Sequence, residues 1–242
     1  DDISPHRDRC HDTDARPGRD PCVLGAEGVA PSAIVWGDSH AVEFAYVLSR
    51  MLGARGEALV ERTHSSCPPL IGYEAPGDAL CARTNREILE TIRANPAIRT
   101  VYLAAFWESP AYASRRDMDA LDRTIAALIG DGRHVVLIGP VPPNTFDVPR
   151  HLARLAHQGR LDTATGRDRA DLAAVEARIG AVAANWQPRG LTYVNPVEAL
   201  CDARSCAILR GGVPLYYDHH HPSVAGASLI LGESPRLAAR IR

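Results

Sequence analysis

Apolar residues fall in short runs that alternate with stretches of helical spacing along most of the chain. Ala33-Ile34-Val35-Trp36 is a run of four that ends at Gly37, which predicts a buried strand. From His40 onward Ala41, Phe44, Ala45, Leu48, Met51 and Leu52 recur at helical spacing, and Gly53 and Gly56 close that helix. The alternation then repeats. Ala58-Leu59-Val60 predicts a strand, followed by a loop rich in Ser, Pro and Gly that contains Cys67 and Cys81. A helix is expected over 83–94, stopping near Pro96. A strand over 100–105 carries Val101 and Leu103, and a helix follows over 118–129. Val135-Val136-Leu137-Ile138 is a strand that breaks at Gly139-Pro140, and a polar, Pro-rich loop leads to a long helix near 169–186. Residues 191–194 form a last strand. The stretch 223–242 reads as helical, with Leu229, Ile230, Leu237 and Ile241 available to pack and an interruption at Pro235.

Strands alternating with helices predict an α/β domain, a parallel sheet sandwiched between two helical layers. Ligands of such sheets bind at the carboxyl ends of the strands. The informative positions are therefore the loops after Trp36, Val60, Ala105, Ile138 and Val194. Residues 1–31 are polar and aperiodic and read as an irregular extension held by Cys10 and Cys22; residues 32–242 read as the domain proper.

Composition narrows the picture in three ways. The net charge is −2, so no long-range field draws the chain to nucleic acid, and no nucleic-acid partner is expected. All 27 basic residues are Arg, so no Lys is available as a catalytic base. The six cysteines fall in three sequence-local pairs without C-x-x-C spacing, which favours disulfides over zinc and hence an oxidising compartment. Of fifteen possible connectivities, the sequence-local one is expected: Cys10–Cys22, Cys67–Cys81 and Cys201–Cys206. No apolar run is long enough to cross a bilayer, and the chain opens on Asp1-Asp2-Ile3 rather than on a signal peptide. The expectation is a mature or excised piece whose export depends on something upstream.

Gly37-Asp38-Ser39-His40 lies where the first strand of the alternation turns into a helix. A serine there is exposed at the sheet's carboxyl edge, beside the N–H groups and positive dipole end of a helix, a setting that favours a developing oxyanion. An ordinary helix cap is the alternative reading. A serine hydroxyl needs a base, and the best candidate lies in Asp218-His219-His220-His221-Pro222-Ser223. Asp218 can reach one nitrogen of His221, leaving the other for Ser39. Metal binding by the three consecutive histidines is the competing reading, weakened because neighbouring side chains point in different directions. No metal is expected, and His219 and His220 read as exposed loop residues.

These two segments, in this order, resemble the SGNH hydrolases. More closely, the chain resembles the SGNH domain fused to the C-terminus of membrane-bound acyltransferases of family 3, which O-acetylate bacterial surface glycans. The residues that carry the resemblance are Val35-Trp36-Gly37-Asp38-Ser39-His40-Ala41, Ser66-Cys67-Pro68-Pro69, the strand leading to Trp107, and Leu215-Tyr216-Tyr217-Asp218-His219-His220-His221-Pro222-Ser223 with Gly226-Ala227. It spans about residues 10–235. The resemblance implies a three-layer α/β/α fold with a flavodoxin-like sheet, and Ser39, His221 and Asp218 as nucleophile, base and orienter. It also implies a periplasmic location, no bound cofactor, a glycan acceptor, and an acetyl group delivered from an acyl donor by an upstream transmembrane domain. Two departures matter. The family at large supplies oxyanion donors from a Gly after the second strand and an Asn after the third. Here those loops read Ser65-Ser66 and Ala105-Phe106-Trp107-Glu108. The Ser39 N–H is the first expected donor, the Ser66 N–H a candidate second. Trp107 is a candidate for lining the acyl or sugar pocket, with core packing as the alternative. A secreted carbohydrate acetylesterase with the same residues, and a catalytically degenerate glycan-binding module, are the rival readings.

Overall fold

The structure is a computed structural model that describes residues 2–13, 21–74, 79–232 and 234. In chain order the elements are α1 (Arg7–Cys10), β1 (His11–Asp12), β2 (Cys22–Gly25), β3 (Ala33–Gly37), α2 (Ala41–Gly53), β4 (Ala58–His64), α3 (Ala79–Ala94) and β5 (Thr100–Ala104). Then come α4 (Arg115–Gly130), β6 (His134–Ile138), α5 (Val148–His157), α6 (Ala173–Trp186), β7 (Thr192–Val194), α7 (Pro196–Leu200), β8 (Leu209–Arg210), β9 (Val213–Pro214) and α8 (Val224–Gly232). Strands β4-β3-β5-β6-β7 are neighbours in that order and all parallel. This is the flavodoxin-like order, with its switch point between β3 and β5.

The strands are near-continuous apolar runs because both faces of the sheet are covered. On one face Ile34, Trp36, Val101, Leu103, Val135 and Leu137 pack on α3, α4 and α6. On the other, Val35, Tyr102, Ala104, Val136 and Ile138 pack on α2, α5, α7 and α8. Successive residues of one strand thus feed opposite cores, as the period of two requires.

Trp107 belongs to the first of these cores. It is 0% exposed and its Nε1 donates to the Ile138 carbonyl at 2.8 Å, so it packs in the core and lines no pocket. The first 31 residues are not wholly irregular. β1 pairs parallel with the end of β4, and β2 pairs antiparallel with its start. Both are too short to show a period, so only pairing with β4 identifies them. β4 itself runs past the apolar Val60 through Glu61-Arg62-Thr63-His64. Its buried polar groups partner one another: Thr63 donates to Glu61 Oε1 and contacts the His11 ring at 2.9 Å. α5 and α7 also emerge from stretches that read as loop. Asp147 and Asn195 cap them, and each carries a proline in its first turn. The expected packing of Leu237 and Ile241, and the break at Pro235, lie outside the described residues.

Three disulfides join Cys10 to Cys22, Cys67 to Cys81 and Cys201 to Cys206, which leaves no free cysteine among the described residues. Such bridges indicate an oxidising, extracytoplasmic compartment. No helix among the described residues is long and apolar enough to cross a membrane.

Candidate active site

The turn between β3 and α2 is held by its own chemistry. Gly37 ends β3 in register with Ala104 of β5, and a Cβ on it would collide with the Ala104 carbonyl oxygen. Only glycine lets the two strands end side by side here. Asp38 is 1% exposed and accepts two backbone hydrogen bonds, from His40 N–H at 2.9 Å and Phe106 N–H at 2.9 Å. It thereby ties the Ser39 turn to the loop after β5. Burial pushes its carboxyl up to about 6, against the opposing pull of those two N–H groups. Ser39 follows, half-buried, just ahead of the N-terminus of α2.

The second half of the site is a tight loop between β9 and α8. Tyr216 and Pro222 form an antiparallel bridge, so residues 217–221 project as one turn. Asp218 Oδ1 accepts from the N–H groups of His220 and His221, each at 2.8 Å, and Oδ2 lies 2.7 Å from His221 Nδ1. Burial alone would raise the Asp218 carboxyl, but the imidazole and the two N–H groups outweigh it and hold it well below the usual carboxylate range. The loop is anchored from outside as well. Asn144 N–H donates to the His219 carbonyl, and Val148 N–H, in the first turn of α5, donates to the Asp218 carbonyl. α5, illegible in the sequence, is thus a support of the site.

The fold joins the two halves. His221 Nε2 lies 2.9 Å from Ser39 Oγ, across 182 residues of sequence. With Asp218 accepting from Nδ1–H, Nε2 carries the lone pair and the Ser39 hydroxyl donates to it. The arrangement can withdraw the serine proton as the oxygen attacks a carbonyl, and Asp218 can stabilise the resulting imidazolium.

His40 and His220 have places that the sequence did not disclose. His40 is 1% exposed, and its Nε2 lies 2.7 Å from His220 Nδ1 with the two rings nearly parallel. Phe106 stacks on both rings. His40 Nδ1 is buried without a partner. A bare lone pair there costs less than a stranded N–H, which puts the His40 proton on Nε2, donating to His220. His220 is therefore no free loop residue, whereas His219 is exposed. Burial, then the neighbouring His221, lowers His220 to about 4, and burial with His221 and His220 holds His40 well below its ordinary value, so both are neutral near pH 7. His40, His220 and His221 form one group of potential metal ligands, and Asp218, His219 and His220 another. The first fits an ion poorly as it stands. Two nitrogens on a tetrahedral zinc lie about 3.3 Å apart, whereas the 2.7 Å gap suits a shared proton. Both nitrogens of His221 are also already engaged.

The oxyanion side is sparse. Ser66 is exposed and has φ +54°, the only non-glycine residue with positive φ among those described. It adopts the left-handed conformation that a glycine would take without strain, a cost of about 1 kcal/mol or more. The Tyr112 hydroxyl interacts with both Asp38 and Ser66, bridging the loops after β3, β4 and β5. The third-strand loop offers the Phe106 ring and the buried Trp107 where a side-chain donor is expected.

Known proteins resemble the chain in sequence profile and in fold. The sequence profile described as "SGNH domain (fused to AT3 domains)" matches residues 9–233. No curated protein matches the sequence. Among solved structures, the periplasmic domain of a lipopolysaccharide acetyltransferase from Salmonella ser. Paratyphi A superposes with a TM-score of 0.70 at 18% identity, covering 88% of this chain and 84% of that one. Est24, a carbohydrate acetylesterase from Sinorhizobium meliloti, gives 0.55 at 12% identity, covering 87% and 100%. An aryl esterase from M. smegmatis gives 0.52 at 14%, covering 87% and 99%. At these identities the likeness is one of fold.

Proposed function

The chain belongs to the SGNH domains found fused to AT3 domains, and from that premise we propose that it is the catalytic domain of a periplasmic glycan O-acyltransferase. The observation that carries this reading is the unbroken line of hydrogen bonds Ser39–His221–Asp218. Ser39 Oγ attacks the carbonyl of an acyl donor while His221 Nε2 takes its proton. The donor's leaving group departs with that proton, and the acyl group remains as an ester on Ser39. A sugar hydroxyl then gives its proton to His221 and attacks the ester. Ser39 recovers its proton from His221, and the acylated glycan leaves. The Ser39 N–H and the Ser66 N–H are the proposed oxyanion donors.

The upstream AT3 membrane domain supplies the acyl group, an acetyl in this proposal, and the acceptor is a hydroxyl of a surface polysaccharide or lipopolysaccharide. The fusion that defines the family supports the donor partner. The three disulfides support a periplasmic setting. The sparse oxyanion side suits transfer to a bound acceptor better than fast hydrolysis, because a missing donor costs on the order of 100-fold in rate.

The test is acetyl release from a chromogenic ester by the isolated domain, with and without surface oligosaccharide. The expected result is slow release that the oligosaccharide accelerates, with acetyl recovered on the sugar. Efficient hydrolysis near the roughly 10⁸ M⁻¹s⁻¹ ceiling of evolved enzymes, indifferent to added glycan, would instead make the protein a carbohydrate esterase.

A further inference from the structure

Residues 2–7 touch both halves of the site. Asp2 caps α8, the helix that follows His221: its carbonyl accepts from Val224 N–H at 2.9 Å and its side chain from Ala225 N–H at 2.7 Å. Ser4 N–H reaches Glu43 Oε1 in the first turn of α2, the helix that follows Ser39. Arg7 completes the bridge. Its guanidinium pairs with Glu43, Nε to Oε1 at 3.1 Å and Nη2 to Oε2 at 2.6 Å, and Nη2 also donates to the Ser39 carbonyl at 3.1 Å. Its face lies 5.2 Å from the centroid of Tyr217, whose ring lies parallel to that of His221 at 5.2 Å.

The contact with the Ser39 carbonyl acts on a specific peptide unit. The amide plane between Ser39 and His40 has two polar ends. Its N–H donates to Asp38 and its C=O accepts from Arg7. With both ends held, the plane resists rotation, which fixes ψ of Ser39 and so the backbone frame from which its Cβ presents Oγ to His221. Glu43 is 0% exposed, so its carboxylate holds the guanidinium with little competition from water. We propose that Arg7 is a positioning residue for the nucleophile, and that residues 2–7 clamp the Ser39 turn and the His221 loop into register. The inference rests on the acyl-transfer reading above.

Two variants separate positioning from folding. Arg7→Met strands the buried Glu43 carboxylate and can unfold the protein for that reason alone. The double variant Arg7→Met/Glu43→Gln removes both charges and keeps the packing. For wild type and both variants, the rate of Ser39 labelling by a fluorophosphonate, kcat and KM on a small acetyl ester, and the unfolding midpoint are measured. The double variant is expected to remain folded, to lose about tenfold in labelling rate and kcat, and to keep KM within about twofold. Labelling and kcat equal to wild type, or a loss that merely tracks the unfolded fraction, would overturn the inference alone. A wild-type Ser39 that does not label at all would overturn the acyl-transfer reading, and this inference with it.

Discussion

Ser39 is distinguished from the other serines of the chain by what surrounds it. His221 stands 2.9 Å from its hydroxyl, Asp218 fixes the ring of His221, and the N-terminus of α2 lies behind. Ser39→Ala and His221→Ala are each expected to remove almost all activity, on the order of 10³-fold or more, with the unfolding midpoint unchanged. Asp218→Asn should be milder or comparable, since it disturbs orientation and leaves the nucleophile in place. Steady-state rates on an acetyl ester check this. Loss in His220→Ala with His221→Ala tolerated would mean that the base has been misassigned. The neutral His40–His220 pair has its own signature in stability. His220 falls to about 4 in the folded protein, against roughly 6.5 in an unfolded chain. The unfolded state therefore binds its proton first, so the contribution is complete above pH 6.5 and is lost as pH falls towards 4. Asp38, raised to about 6, works in the opposite sense, adding stability at low pH that is lost as pH rises through 6. Urea midpoints between pH 7 and 4 should decline less steeply in His220→Gln than in wild type, and equal slopes would contradict this account.

Element by element, legibility follows the strength of the local signal. β3, α2, β5 and β6 announce themselves because apolar runs and helical spacing are local properties, and each buries a long face. α5 does not. Its start, Asp147-Val148-Pro149, follows a run of prolines, and its cap matters only once the chain has folded back onto the Asp218 loop. β1 and β2 are set by pairing with β4 and carry no period of their own. Among site residues, Ser39, Asp218 and His221 stand out because their motifs are short and contiguous. Arg7, His40 and Phe106 act only through tertiary contacts, and no spacing in the sequence reports those. The Cys67–Cys81 bridge, with a sequence separation of 14, anchors the residue that directly follows Ser66. Replacing both cysteines with Ala should cost about 3 kcal/mol by denaturant titration. It should also lower activity more than stability alone accounts for, because Ser66 loses its anchor. A cost near zero would show that the loop is held by Tyr112 and Asn85 instead.

Across the whole molecule, the site is a meeting of three distant stretches. The N-terminal segment, the β3–α2 turn and the loop before α8 converge at the carboxyl edge of the sheet, beside the switch point between β3 and β5. The fold holds the hydroxyl, the imidazole and the carboxylate in place before any substrate arrives, so no binding energy is needed to assemble them. The central claim is that Ser39 carries the acyl group in transit. The direct measurement is mass spectrometry of the protein quenched during turnover of an acetyl ester, followed by peptide mapping. One acetyl group is predicted on the peptide containing Ser39, absent in Ser39→Ala, accumulating in His221→Ala only slowly, and discharged faster when surface oligosaccharide is added. Turnover by the wild type with no acetyl on Ser39 at any quench time, and undiminished turnover by Ser39→Ala, would contradict it.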